Sequence, residues 1–275
     1  MAKYLTRELP AVEIAWIRFA VFALIMLPAI LLRPGGSNVL RSARPGIQVL
    51  RGLGLVMSSL FFIWGLRYLP IADASATAFI APAFVTGLSI IVLGEKVGVR
   101  RWLATIVGLI GVVIVVRPGT SAFHPAAIFP IVSALGWAGA LVLTRQISGV
   151  DRPVTTMAWS ALVGFVVLSL MVPFFWVTPT LQQILIAVCI GISSTAGHWI
   201  VVLAYRHGDA SVLAPFTYSQ LVWVSILGFM MFAEIPDLWT VLGAAVIISS
   251  GLYIAHRERV RKAQMRDALD RMPSA

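Results

Sequence analysis

The chain has 275 residues, 59% of them hydrophobic and only 12% charged, with a mean hydropathy of +0.93. A soluble domain carries about 25% charged residues, so this composition excludes a globule covered by water. The formal net charge of +10 would suit nucleic acid, but the charges fall between long apolar runs, which is the pattern of membrane topology, and no nucleic-acid partner is expected.

A bilayer core takes about 20 apolar residues per helical span. Runs of this kind are predicted, in order, at 11–32, 47–69, 71–93, 98–116, 124–146, 154–177, 181–205, 209–232 and 238–256. Turn residues separate them, among them Arg33-Pro34-Gly35-Gly36, Gly94-Glu95-Lys96, Arg117-Pro118-Gly119, Asp151-Arg152-Pro153 and Ile235-Pro236-Asp237. The runs are continuous rather than alternating, which argues against a β-barrel. The expected fold is an all-α polytopic bundle of nine transmembrane helices. The first run lacks a small-residue cleavage site and reads as a span rather than a signal peptide. The single cysteine, Cys189, excludes an internal disulfide and a cysteine-based metal site. It reads as a packing residue, and neither metal nor cofactor is expected.

Orientation follows from Lys and Arg counted on alternate sides. One side receives 16 of them, including Arg33, Arg51, Lys96, Arg145, Arg206 and six in the tail; the other receives only Lys3, Arg7, Arg67 and Arg117. The richer side is expected to be cytoplasmic. The C-terminus is then inside, with the chain in the cell inner membrane and lipid around it.

A shift of 139 residues relates the two halves: Gly52 pairs with Gly191, Arg67 with Arg206, Glu95 with Glu234 and Leu103 with Leu242. Charges are rare here, so the equal Arg-to-Glu spacing of 28 residues in both halves is the telling feature. The shift moves each charge to the opposite side, so the repeats are inverted across the membrane. The expected units are 1–118, 119–256 and a basic cytoplasmic tail at 257–275. The second unit has five helices and the first shows four. Leu5-Thr6-Arg7 aligns with Leu143-Thr144-Arg145, so Met1 is expected near the outer end of a helix whose beginning is absent. The alternative is an ordinary outside tail.

These features resemble the drug/metabolite transporter superfamily, EamA type. The resemblance spans nearly the whole chain. It rests on Ala15-Trp16-Ile17-Arg18-Phe19, the segment from Ala72 through Pro82 to Gly94-Glu95-Lys96, Ala214-Pro215-Phe216-Thr217-Tyr218, Glu234-Ile235-Pro236 and the run from Gly243 to Gly251. It implies two inverted five-helix units around a central pathway. The substrates it implies are amino acids, their derivatives, nucleobase-like vitamins or drugs.

Candidate site residues follow from depth. His198 lies eight residues from Arg206, roughly 12 Å from the cytoplasmic end by helical rise and so near mid-membrane. An ionisable group there is a functional candidate, or else a neutral histidine bonded to a neighbouring helix. Tyr218 lies at similar depth on the next helix, with Pro215 on its face to free a backbone carbonyl. Ser59 is the repeat mate of His198 and Phe79 that of Tyr218. Pro82 interrupts its own helix, and Trp137 sits mid-span. Arg18 lies roughly 10 Å deep by helical rise. Two readings fit it: snorkelling outward, or binding an anionic group such as a carboxylate. Gly136 with Gly139, and Ala104 with Gly108, read as close helix contacts. All eleven carboxylates lie at span ends, loops or the tail, which argues against a carboxylate proton relay.

The reading is a transporter for a small polar metabolite such as an amino acid derivative, working by alternating access; a homodimer is one assembly the sequence allows. The alternatives are an inactive truncated carrier or scaffold, and an intramembrane enzyme. Gly191-Ile192-Ser193-Ser194 superficially fits a serine motif. His198 is on the same helix, however, where a Ser–His dyad is not assembled.

Overall fold

The computed structural model describes residues 1–31, 39–94, 99–117, 124–147, 149–207 and 219–270. In chain order the helices are α1 (Ala2–Leu5), α2 (Ala11–Leu31), α3 (Pro45–Tyr68), α4 (Ile71–Ala78), α5 (Ala81–Leu93), α6 (Val99–Val116), α7 (Ile128–Ile147), α8 (Pro153–Met171), α9 (Leu181–His207), α10 (Ser219–Phe232) and α11 (Leu238–Asp270). Among the described residues, six helical segments are long and apolar enough to span a membrane, α4 and α5 together forming one of them; three shorter apolar segments lie in α6, α10 and α11. Together they fall on the nine predicted spans, so the all-α polytopic expectation holds.

Local chemistry sets the boundaries. α3 and α8 begin at Pro45 and Pro153, where the missing N–H would be unpaired in any case. α5 ends on Gly94 in the left-handed conformation, φ 66°, the usual glycine stop. α10 ends differently: Ala233 takes φ 55°, and Glu234 N–H donates to Gly228 O at 3.3 Å. This turn aims the Glu234 side chain back across the end of the bundle.

Between helices in lipid no hydrophobic force operates, so close packing of small residues carries association. α3 lies against α7 and α6 against α11. At the first contact a Cβ on Gly136 would lie 2.7 Å from Gly54 O, and at the second a Cβ on Gly243 would lie 2.6 Å from Gly111 O. Gly139 meets nothing within 4 Å, which corrects the expectation that it is a contact residue. It points away from the seam that Gly136 occupies. The Ala104–Gly108 pair does make a close contact, with Ser250 Oγ donating to Ala104 O. The principal core is built from α2, α3, α8 and α9, with Phe19 seated over Gly164.

Two packed pairs exchange under the 139-residue shift. α2 corresponds to α8 and α3 to α9, and the structure packs α3 on α8 and α2 on α9. The ends also sort by predicted side. Lys3 pairs with Glu234, Glu234 Oε2 accepts from Ile71 N–H at 3.0 Å, and Arg117 pairs with Asp237 at 2.5 Å. At the opposite end Asp151 accepts from Ser42 at 2.5 Å, Ala43 N–H at 3.0 Å and Gln48 at 2.8 Å. Desolvation acts against ionisation of Asp151, but these three hydrogen bonds hold its carboxyl below the usual carboxylate range.

Candidate functional site

Four helices bring polar and aromatic groups to one interior locality. On α2, Arg18 and Phe22 are four residues apart and share a face. Arg18 Nη1 donates to Ser59 Oγ of α3 at 2.8 Å. One turn further on, the Phe22 ring meets the edge of His198 of α9, with centroids 6.2 Å apart at 69°. Trp137 of α7 meets the same imidazole at 6.3 Å and 68°. The repeat mates Ser59 and His198 are therefore joined through a single face of α2. Trp137 reaches the interior because its neighbour Gly136 has no side chain, which lets α7 press against α3. Ser133 Oγ, donating to Ser58 O at 2.7 Å, ties the same seam.

The groups are incompletely satisfied. His198 Nε2 is enclosed and has no hydrogen-bond partner among the described residues. Arg18 lies over the Phe19 ring at 5.3 Å. Its other N–H groups carry no hydrogen bond among the described residues, yet none of them is sealed off.

Arg51, counted in the sequence only as a topological charge, is buried at 3% exposure. Its Nε donates to Thr144 Oγ1 of α7 at 2.6 Å, and its Nη1 donates to Thr156 O of α8 at 3.2 Å and to Ser160 Oγ. Arg51 stands about two helical turns along α3 from Ser59, the partner of Arg18, so one helix carries Arg51 and the contact to Arg18. The sequence signal was available: Arg51 lies inside a predicted span, eight residues from Ser59 on the same helix. Glu13 was similarly read as a span-end charge, yet it is fully enclosed, with Oε2 accepting from Val177 N–H at 3.2 Å.

Phe79 and Pro82 have a different setting. The α4–α5 span divides at Phe79–Ile80, with Pro82 in the first turn of α5. Phe79 packs with Val115 of α6 and with Ala244 and Ile248 of α11. Together with Pro82, Thr105, Gly108 and Ser250 it lines a crevice. Tyr218 and Pro215 lie outside the described residues. Among the described residues no group of His, Cys, Asp or Glu is arranged to hold a metal ion.

The model of the EamA-like transporter family matches residues 1–117 and 124–255. The chain belongs to that family. This EamA-like protein is thus a multi-pass membrane transporter by descent. It is 30% identical over 259 residues to the S-adenosylmethionine uptake transporter of Rickettsia prowazekii (strain Madrid E), covering 94% of this chain and 87% of the relative. It is 30% identical over 270 residues to the riboflavin transporter of Vibrio cholerae, with 94% and 87% covered. It is 27% identical over 261 residues to the pseudopaline exporter of Pseudomonas aeruginosa, with 94% and 91% covered. A solved crystal structure shares the EamA-like fold with a TM-score of 0.67 at 22% identity, covering 92% of this chain and 90% of that one.

Proposed function

We propose that this chain carries a small polar metabolite, such as an amino acid derivative or related compound, by alternating access between two inverted repeats at 1–118 and 119–256. The observation that supports this most is the convergence of Arg18, Ser59, Trp137 and His198 from α2, α3, α7 and α9. Ionisable groups inside a membrane bundle are costly, and where they occur they mark substrate or ion pathways. Family relatives named for S-adenosylmethionine, riboflavin and pseudopaline agree with a small metabolite as cargo and include both uptake and export. Tyr218 completes the site in this reading, with Pro215 and Pro82 as helix breaks and Phe79 lining the crevice it shares with Thr105 and Ser250. The chain acts as a carrier and not as an enzyme. Ser193 is exposed on α9, while the imidazole of His198 faces Phe22 and Trp137.

Transport assays with S-adenosylmethionine, riboflavin and amino acids as probes test the site. His198→Ala and Tyr218→Phe should each lower transport by about tenfold, the equivalent of one lost hydrogen bond of roughly 1.4 kcal/mol. Membrane insertion should be unchanged. Wild-type kinetics in both variants would place the site elsewhere.

The charge bias places the protein in the cell inner membrane with residues 257–275 in the cytoplasm. A fluorescent reporter that folds only in the cytoplasm should therefore be bright when fused to the C-terminus. A phosphatase active only outside the membrane should be silent there. The reverse pattern would discard this orientation.

A further inference from the structure

We infer that the transported compound carries a carboxylate, which docks on the guanidinium of Arg18; this rests on the carrier reading above. Arg18 has five N–H donors, and one hydrogen bond, to the neutral Ser59 hydroxyl, is all the described structure gives it. Glu13 is the only other charged side chain on α2. It stands five residues away, nearly opposite on the helix, and is held by Val177 N–H. The second cation, Arg51, is likewise bonded only to neutral oxygens, those of Thr144, Thr156 and Ser160. The two cations are tied to one helix, Arg18 through Ser59 and Arg51 about two turns away on α3, and no carboxylate among the described residues pairs with either.

Two positive charges that pair with no carboxylate among the described residues raise the potential of a low-dielectric interior, where an anion is bound far more strongly than in water. The geometry selects the kind of anion. Arg18 uses one Nη1 proton on Ser59, which leaves its Nε–Nη2 edge as one intact fork. A single fork matches two oxygens of one anionic group, carboxylate or phosphate, and a carboxylate is the one with no third charged oxygen left for other donors to satisfy. One turn along the same face of α2 stands Phe22, and it and Trp137 meet at His198, apolar surfaces for the remainder of the compound. Arg51, fixed by α7 and α8, supplies charge at a distance and does not touch the cargo.

The test uses the purified full chain in vesicles and a bacterial metabolite extract as probe. The extract is offered untreated, and again after its carboxyl groups have been converted to primary carboxamides. Compounds retained beyond protein-free vesicles are identified by mass spectrometry. We expect carboxylates from the untreated extract and none of their carboxamides from the treated one. Arg18→Gln should reduce that uptake about tenfold or more, as expected for a lost charge-assisted pair. Arg18→Lys keeps the charge without the fork, so it should raise KM with little change in kcat. It also decides the matter if Arg18→Gln does not insert. Retention of compounds that lack a carboxyl group, or an unaltered KM in Arg18→Lys, overturns the inference and leaves the carrier reading standing. Retention of nothing from either extract by the wild-type chain overturns both.

Discussion

Gly136→Ala is expected to unfold or disperse the bundle, although alanine is the better helix former by about 1 kcal/mol. The added Cβ would stand 2.7 Å from Gly54 O and 2.9 Å from Ser58 N. Both are backbone atoms, which cannot turn aside as a side chain can. Overpacking ordinarily costs about 1–3 kcal/mol, and here α7 must move off α3 along their whole contact. That movement also withdraws Trp137 from His198, so any correctly inserted fraction should be poorly active. The internal control is Gly139→Ala, one helical turn along: its Cβ meets nothing within 4 Å, and its stability should equal or slightly exceed that of wild type. Melting temperature and monodispersity in detergent provide the measurement. Equal behaviour of the two variants would refute the Gly54–Gly136 seam.

Arg51→Ala should lower stability by about 2–4 kcal/mol, the loss of two or three charge-assisted hydrogen bonds together with the space the side chain fills. The guanidinium works as a clamp: one edge holds Thr144 of α7, and the other holds Thr156 and Ser160 of α8. Arg51→Lys separates charge from shape. A lysine ammonium is a point charge that does not span both helices, so it should recover only part of the loss. The melting temperatures of the three proteins in detergent decide the outcome. A lysine variant as stable as wild type would show that charge alone matters, and an undisturbed Arg51→Ala would show that the clamp is idle.

Much of the fold was legible because a bilayer imposes its demands along the chain. Every span needs about 20 apolar residues with its backbone satisfied internally, and breaks such as Gly94 announce themselves by residue type. The site was legible only in part. His198, Arg18 and Trp137 stood out as unusual groups at depth and Ser59 as the repeat mate of His198; the structure joins Arg18 to Ser59 and sets Trp137 against His198. Phe79, selected as the repeat mate of Tyr218, packs instead with α6 and α11. Sequence correspondence assigns it a helix and a depth, whereas its neighbours depend on how the helices are rotated. The same ignorance of rotation made Gly136 and Gly139 look alike, although they face different surroundings.

Class, family, span positions and the sorting of charged ends were determined by the sequence by itself. Class, span positions and charge sorting follow from apolar length and charge placement, which are local properties that no packing can alter; the family follows from the resemblance its motifs carry. Only the tertiary structure decided that Arg51 and Glu13 are buried, that Arg18 meets Ser59 while Phe22 and Trp137 enclose His198, and that no carboxylate among the described residues pairs with Arg18 or Arg51. Those outcomes depend on the azimuth of each helix against its neighbours. Close approach at Gly54–Gly136 and Gly111–Gly243 sets that azimuth, and hydropathy along the chain carries no trace of it.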